Sequence, residues 1–198
     1  MRKLPVIAAL ALPVAAFAQM SDVPTAPRDK TLYVGSEEMA AIAAGVPADP
    51  SGKPGAFSKR LFQDSTYSTS FIRLTAPDTP HAHGAWSEIF VVREGAGVVE
   101  TGGTITGVTS SDSATHRGIF LNGNTPPPAQ TDEQKKAAAA AAARRAAQGD
   151  KAGTDIVGGT RQAVKAGDIV LVPAGVAHRW VKVDQPIIYL DIKFPKAQ

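Results

Sequence analysis

The chain has 198 residues, of which 43% are hydrophobic and 20% charged, which is typical of one globular domain rather than of a disordered or fibrous chain. Its 21 lysines and arginines against 18 acidic residues include no clustered basic face with interleaved aromatic residues, so nucleic-acid binding is not expected. The chain has no cysteine, which excludes disulfides and thiol catalysis and leaves nitrogen and oxygen ligands for any metal site.

Residues 1–18 have the three-part pattern of a secretory signal peptide. Arg2 and Lys3 give a positive start, an apolar stretch runs from Leu4 to Phe17, and Ala16-Phe17-Ala18 forms an A-x-A cleavage site. The apolar run is shorter than the ~20 residues that a membrane-spanning helix needs. We therefore expect cleavage after Ala18, a periplasmic or secreted location, and no membrane association of the mature chain.

Residues 19–64 are predicted to be an N-terminal lead-in with one short helix. Ser36 as N-cap, acidic residues in the first turn and a terminal Gly45 predict the helix Ser36–Gly45. Pro47–Gly55 carries three prolines and two glycines and is predicted to be a loop. From Ser65 onward the signals change to strands, so the main domain is predicted to span residues 65–195.

Short runs rich in β-branched and aromatic residues, bounded by Gly, Pro or Asp, predict the strands of this domain. These runs are Thr66–Leu74, Glu88–Val92, Gly97–Thr101, Thr104–Val108, Arg161–Val164, Asp168–Val172, Ala177–Val183 and Ile187–Ile192. Such closely spaced short strands favour an all-β sandwich or barrel. Gly102-Gly103 fits a two-residue hairpin turn with positive φ.

Residues 125–153 form a Pro/Ala-rich segment that interrupts the strand pattern. Thr131 to Gln134 has the form of a capping box, and seven alanines follow from Ala137 to Ala143 before Arg144 and Arg145. This pattern predicts a helix with favourable charges at both ends. Because it has no large apolar stripe, we expect a solvent-exposed insertion rather than a lid or partner-binding helix.

Three of the four histidines lie in two local patterns. His81 and His83 are two residues apart, which on a strand points both to one face, and Glu88 could add a carboxylate oxygen. His178 follows the turn residues Pro173-Ala174-Gly175. Such a set suits one divalent transition metal ion, namely Fe, Mn, Zn, Ni or Cu, while Ca and Mg prefer more oxygens. On chemistry alone, surface histidines in a loop after Pro80 fit equally well.

These residues resemble the two motifs of the cupin superfamily. The first motif, G-x5-H-x-H-x3,4-E-x6-G, is similar to His81 through Gly95, and the second, G-x5-P-x-G-x2-H-x3-N, is similar to Gly167 through His178. Two positions depart from the pattern, because Thr75 replaces the leading Gly and Lys182 replaces the closing Asn. The chain resembles small exported bacterial single-domain cupins over about Thr66 to Phe194, with an inter-motif region lengthened to 71 residues.

The resemblance implies a single cupin jelly-roll barrel in which His81, His83, Glu88 and His178 bind one metal ion. The fourth histidine, His116, lies outside both motifs and is expected at the surface.

Strand parity extends this picture to the pocket. If His178 points inward, Trp180 and Lys182 share its face, and Phe90 and Val92 share the face of Glu88. For Phe90, Val92 and Trp180, ordinary barrel core is the favoured interpretation, because inward residues of small barrels usually fill the interior. Three cations could bind a substrate anion, although parity does not place them: Arg73, Arg93 and Lys193.

The sequence thus favours an exported metal-binding cupin that acts on a small organic molecule, as an enzyme of dioxygenase or isomerase/lyase type. The alternative is a non-catalytic binding module for a small molecule or carbohydrate. The sequence decides neither between these classes nor whether the protein forms a homodimer, and it assigns no catalytic residue.

Overall fold

A computed structural model describes residues 31–45, 56–63, 66–109 and 131–196. The predicted signal peptide, the Pro47–Gly55 loop and His116 lie outside these residues. The elements in chain order are α1 (Ser36–Ala44), β1 (Ala56–Gln63), β2 (Ser68–Leu74), β3 (His81–Ala82), β4 (Trp86–Thr101), β5 (Thr104–Thr106), α2 (Asp132–Ala147), β6 (Lys151–Ala152), β7 (Asp155–Val157), β8 (Thr160–Lys165), β9 (Ile169–Val172) and β10 (His178–Pro195). The predicted all-β class, with a short N-terminal helix and an Ala-rich helix, is confirmed. None of the helices in the described ranges is long and apolar enough to cross a membrane.

Two long strands, β4 and β10, organise the main sheet. They pair antiparallel along most of their length, while β9 pairs with the first half of β4 and β8 with its second half. The sequence predicted two separate strands within β4 and two within β10, and this prediction is wrong. Both strands continue through register shifts around Asp184–Pro186, opposite Gly95. Gly95 has a φ of 79°, and a Cβ there would lie 2.1 Å from the Pro186 carbonyl oxygen, so glycine permits the bend.

The sheet begins earlier than the strand signals indicated. β1 pairs antiparallel with β2 at the edge of the sheet, so the first strand starts at Ala56 rather than after Ser65. Lys59 and Arg60 obscure its apolar pattern, and charged side chains of this kind are common on edge strands.

The prediction for the Gly102-Gly103 turn is correct for its backbone conformation and wrong for its strand pairing. Its φ values of 79° and 70° confirm the positive φ. The hairpin is wrong, because β5 pairs with β7 in a separate two-stranded sheet instead of with β4.

The core has two parts because strand side chains alternate between faces. On the inner face, Leu74, Val92, Trp180 and Ile187 are each no more than 2% exposed and belong to one apolar cluster. On the outer face of β1, β2 and β10, Phe57, Phe71 and Ile188 pack with Ala43 of α1. Helix α1 therefore covers part of the sheet.

The predicted caps of α1 were only partly correct. Gly45 is the C-cap, but the N-cap is Gly35, which lacks a side chain to cap with, and not Ser36.

The Ala-rich helix α2 is largely exposed, as predicted, but its C-terminal end is not free of the sheet. A Cβ on Gly84 would lie 2.1 Å from the carbonyl oxygen of Gln148, so the helix end packs against a glycine. Just beyond it, β6 pairs with β3 through His81 opposite Ala152. The end of the predicted insertion is thus part of the main sheet, at the strand that carries His81.

Candidate metal centre

The three motif histidines converge at one end of the sheet. His81 on β3 is the antiparallel pairing partner of His178, the first residue of β10. One possible ligand atom from each of His81, His83 and His178 lies within 4.8 Å of the others. The ring centroids of His81 and His83 are 5.4 Å apart, so both residues of the His-x-His pair face the same site.

Hydrogen bonds to the Nδ1 atoms orient two of these rings. His81 Nδ1 lies 2.7 Å from the carbonyl oxygen of Thr79, and His178 Nδ1 lies 3.0 Å from that of Val176. Because a carbonyl oxygen only accepts, each Nδ1 is assigned the proton, and each Nε2 keeps a lone pair. In both rings Nε2 is therefore the atom able to bind a metal.

Glu88 meets the histidines from β4. It is 2% exposed, with Oε2 2.9 Å from His178 Nε2 and Oε1 3.3 Å from His83 Nε2. Glu88 Oε2 and His178 Nε2 are both buried, and apart from their mutual contact neither has a hydrogen-bond partner among the described residues. Two acceptors facing each other at this distance repel unless a metal ion or a second imidazole proton lies between them. Nitrogen and oxygen donors arranged in this way fit a borderline transition metal.

Lys193 supplies a positive charge beside this cluster. Its Nζ lies 2.5 Å from Glu88 Oε1 and 2.8 Å from His83 Nε2, and its side chain is partly exposed. Burial acts to raise the pKa of Glu88, but attraction to Lys193, with contributions from His83 and His178, outweighs it and lowers that pKa well below its ordinary value. Glu88 is therefore held as a carboxylate, the form that binds a metal.

A small, partly open cavity of about 20 Å³ adjoins the cluster. It is lined by Ile72, Asp78, His81, Glu88, Phe90, His178, Trp180, Tyr189, Asp191 and Lys193. The rings of Phe90 and Trp180 lie 5.0 and 5.5 Å from that of Tyr189 and form an aromatic wall. The cavity therefore has an aromatic side and a polar side that includes His81, Glu88 and Asp191.

The inward positions predicted from strand parity are mostly correct. Phe90, Val92 and Trp180 are at most 3% exposed, and Phe90 and Trp180 also line the cavity. Lys182 is exposed instead, because the register shifts between Trp180 and Lys182 and reverses the alternation. Its Nζ pairs with Asp184.

Among the three candidate anion-binding cations, the structure places Lys193 in the cavity wall. Arg93 is exposed and Arg73 is partly buried, and neither lines this cavity.

Asp191 is a cavity residue that the sequence analysis missed. It is 4% exposed, and its Oδ1 has no hydrogen-bond partner in the described part of the chain. Burial raises the pKa of Asp191 to about 6, with repulsion from Glu88 adding to the rise and attraction to Lys193 opposing it. Alternation along β10 would have found this residue once Tyr189 was known to point inward.

No family model matches the sequence, and no curated protein matches it. Solved structures to which the chain is similar include three from different organisms. KdgF from Halomonas sp. is 15% identical with a TM-score of 0.41, over 73% of this chain and 84% of that one. Hydroquinone 1,2-dioxygenase from Sphingomonas sp. TTNP3 is 13% identical with a TM-score of 0.39, and the match covers 71% of this chain and 66% of that protein. The cupin domain of Cnp3 from Schizosaccharomyces pombe is 9% identical with a TM-score of 0.38, and the match covers 71% of this chain and 65% of that protein.

The architecture agrees with the resemblance drawn from the two motifs. An antiparallel sheet encloses an apolar core, and His81 and His83 of the first motif meet His178 of the second in one cluster. The predicted all-β fold is therefore confirmed, and the two motifs meet as the resemblance to cupins implies. The activities of the similar structures are not transferred to this chain.

Proposed function

We propose that this chain is an exported metal-dependent enzyme acting on a small organic molecule, with one divalent transition metal ion held by His81, His83, Glu88 and His178. The observation that carries the proposal is the buried pair Glu88 Oε2 and His178 Nε2, which lie 2.9 Å apart and have no other hydrogen-bond partner among the described residues. A shared cation satisfies both atoms at once. His81 and His83 lie with His178 in one group of possible metal ligands, and with Glu88 they make four proposed donors.

A metal ion bound there would supply a Lewis acid able to polarise substrate oxygen atoms. The protein's own groups supply the rest of the site. The aromatic wall of Phe90, Trp180 and Tyr189 limits water and orients an apolar face of the substrate. The ammonium of Lys193 offers a partner for an anionic substrate group, and it also competes with a metal ion for Glu88 and His83.

Within this class, Asp191 favours an isomerase or lyase over a dioxygenase. Its carboxyl lines the cavity, is buried, and has one oxygen without a partner. A pKa of about 6 lets this group both accept and release a proton near neutral pH. Proton transfer next to a Lewis acid is what an isomerase or lyase requires, whereas oxygen activation does not depend on such a carboxyl.

The second candidate is a non-catalytic binding module for a small molecule or carbohydrate. The aromatic wall favours it, because aromatic faces stack on the apolar faces of small ligands. Metal content separates the candidates when the protein is purified from the periplasm. Redox-active Fe, Mn or Cu would favour a dioxygenase, Zn or Ni an isomerase or lyase, and metal-free protein a binding module.

The metal site itself is tested by histidine variants. The wild type should bind close to one equivalent of transition metal, and its affinity should fall as the pH drops through about 6.5, because protons compete for the imidazole nitrogens. The variants His83→Ala and His178→Ala should each lose most of the bound metal, while His116→Ala should retain it. Calorimetric titration and elemental analysis measure this, with circular dichroism as a check on folding. Equal metal content in His178→Ala and wild type would contradict the proposal.

A further inference from the structure

The end of the Ala-rich insertion places a buried carboxylate beside one of the three histidines. Asp150 follows helix α2 and is 2% exposed. Its Oδ2 lies 3.4 Å from His83 Nδ1, and its Oδ1 accepts the backbone N–H of Gly84 at 2.9 Å. The carboxylate therefore contacts both His83 and the residue after it.

The surrounding backbone fixes the position of Asp150. On one side, the N–H of Asp150 donates to the carbonyl oxygen of Arg145 in the last turn of α2, at 3.1 Å. On the other side, β6 pairs with β3, and the N–H of Gly153 donates to Pro80 at 3.0 Å. Because Gly84 lacks a Cβ, the helix end can lie directly against it. Asp150 is thus held between the helix end and the strand that carries His81.

His83 differs from the other two histidines in what holds its ring. The Nδ1 atoms of His81 and His178 are each held by a carbonyl oxygen two residues earlier in the chain. His83 Nδ1 instead faces a carboxylate contributed by a segment 67 residues away in sequence. A carboxylate accepts more strongly than a carbonyl and adds negative charge next to the imidazole. The 3.4 Å contact is longer than the 2.7 and 3.0 Å contacts of His81 and His178, so its hydrogen bond is the weakest of the three. The negative charge of Asp150 acts on His83 in addition to this hydrogen bond.

We propose that Asp150 is a positioning residue that keeps the proton of His83 on Nδ1, leaves the Nε2 lone pair available to the proposed metal ion, and so strengthens metal binding. The inference rests on the proposed function, because His83 is one of the four proposed ligands. Carboxylates that hold the far nitrogen of a ligating histidine fix the tautomer and increase its basicity, and their loss typically lowers metal affinity 10–100-fold. The insertion thereby contributes to the centre although its helix is largely exposed.

The test is a metal titration of wild type and Asp150→Asn with Zn²⁺ or Mn²⁺ by calorimetry. Asparagine keeps the size of the side chain and can still accept from Gly84, but its amide group cannot accept from His83 Nδ1. We expect metal affinity to fall at least about tenfold. Asp168→Asn is the matched control, because Asp168 also accepts a backbone N–H, from Lys165 at 2.9 Å, in the turn between β8 and β9. It should bind metal like wild type.

A second measurement tests Asp150 without metal. In ¹⁵N-labelled protein, the imidazole shifts of His83 should report an Nδ1–H tautomer in wild type and a mixture of tautomers in Asp150→Asn. If the wild type binds no metal, the proposed function fails, while the shifts still test the role of Asp150. Affinity within about twofold of wild type, together with an unchanged His83 tautomer in Asp150→Asn, would overturn the inference. Melting curves of each variant separate these effects from a loss of folding.

Discussion

Two buried carboxyl groups at the cavity respond in opposite directions to the same surroundings. Burial acts to raise the pKa of both, yet the pKa of Glu88 is lowered well below its ordinary value and that of Asp191 is raised to about 6. The difference follows from distance, since Lys193 Nζ lies 2.5 Å from Glu88 and 3.9 Å from Asp191. Glu88 is therefore kept ionised, as its proposed role as a metal ligand requires, and Asp191 is left able to exchange a proton near pH 6.

The raised pKa of Asp191 predicts a pH-dependent effect of Asp191→Asn on the stability of the metal-free protein. Between the ordinary pKa of an aspartate, 3.8, and about 6, the folded state binds this proton more tightly than the unfolded state, so the free energy of unfolding falls as the pH rises through this range. Asparagine removes that penalty. The difference in free energy of unfolding between the variant and wild type should be on the order of 2–3 kcal/mol larger at pH 8 than at pH 4. This follows because one pKa unit corresponds to about 1.4 kcal/mol.

Urea unfolding in the presence of a chelator measures this difference. Because wild type and variant are compared at each pH, changes from the other titrating groups largely cancel. The same difference in unfolding free energy at pH 4 and pH 8 would contradict the raised pKa of Asp191.

At the level of residues, the sequence predicted the site where local geometry decides and failed where remote contacts decide. His81 and His83 share a face because two-residue spacing on a strand fixes direction. Lys182 was misplaced because a register shift next to Trp180 depends on the partner strand β4, which spacing alone does not show. Asp150 was missed because its partner His83 lies 67 residues away and no periodic pattern joins them.

At the level of elements, glycine and proline misled the prediction of strand ends. Gly95 and Pro186 lie opposite each other at the bend of β4 and β10, where pairing continues through a shift in register. From the local sequence, such residues predict the end of a strand. In the structure β4 continues through the bend, because it pairs with β9 before it and with β8 after it. The number of strands was therefore predicted less well than their positions in the chain.

For helix α2 we predict that most of its length is dispensable. Replacing Asp132–Gln148 by a short Gly/Ser linker keeps Gly149 and Asp150 and removes mainly exposed side chains. Loop closure changes by only about 0.6 kcal/mol per doubling of length, so the melting temperature should move by a few degrees. Metal affinity should fall less than in Asp150→Asn, because Asp150 loses its bond to Arg145 but is still held by Gly84 and by the pairing of β6 with β3.

A matched deletion separates the helix from the carboxylate. Extending the deletion through Asp150 should leave the β-rich circular dichroism spectrum in place but lower metal affinity about as much as Asp150→Asn does. Thermal melts and calorimetric titration of the two deletions provide the comparison. A fall in melting temperature of more than about 10 °C in the shorter deletion would show that packing of the helix end against Gly84 is required for stability.

At the scale of the whole molecule, the fold explains how a cysteine-free chain builds its centre. Its donors come from two motifs far apart in sequence, and β10 unites them by pairing His178 with His81 and, further along, with the strand that carries Glu88. Lys193 and Asp191 reach the same cavity from the far half of β10. The continuity of that one strand therefore positions one proposed ligand, a cation and a proton-exchanging carboxyl.

Export is the prediction that concerns the whole chain. Signal peptidases cut after small residues in an A-x-A site, so the mature protein should begin at Gln19, with or without cyclisation of that glutamine. Mass spectrometry of protein from the periplasm or medium measures the N-terminus directly. Ala18→Asp places a charge at the cleavage position and should cause the uncut precursor to accumulate, whereas Ala8→Val, within the apolar stretch, should be processed normally. Intact Met1 on wild-type protein recovered from the cytosol would contradict export.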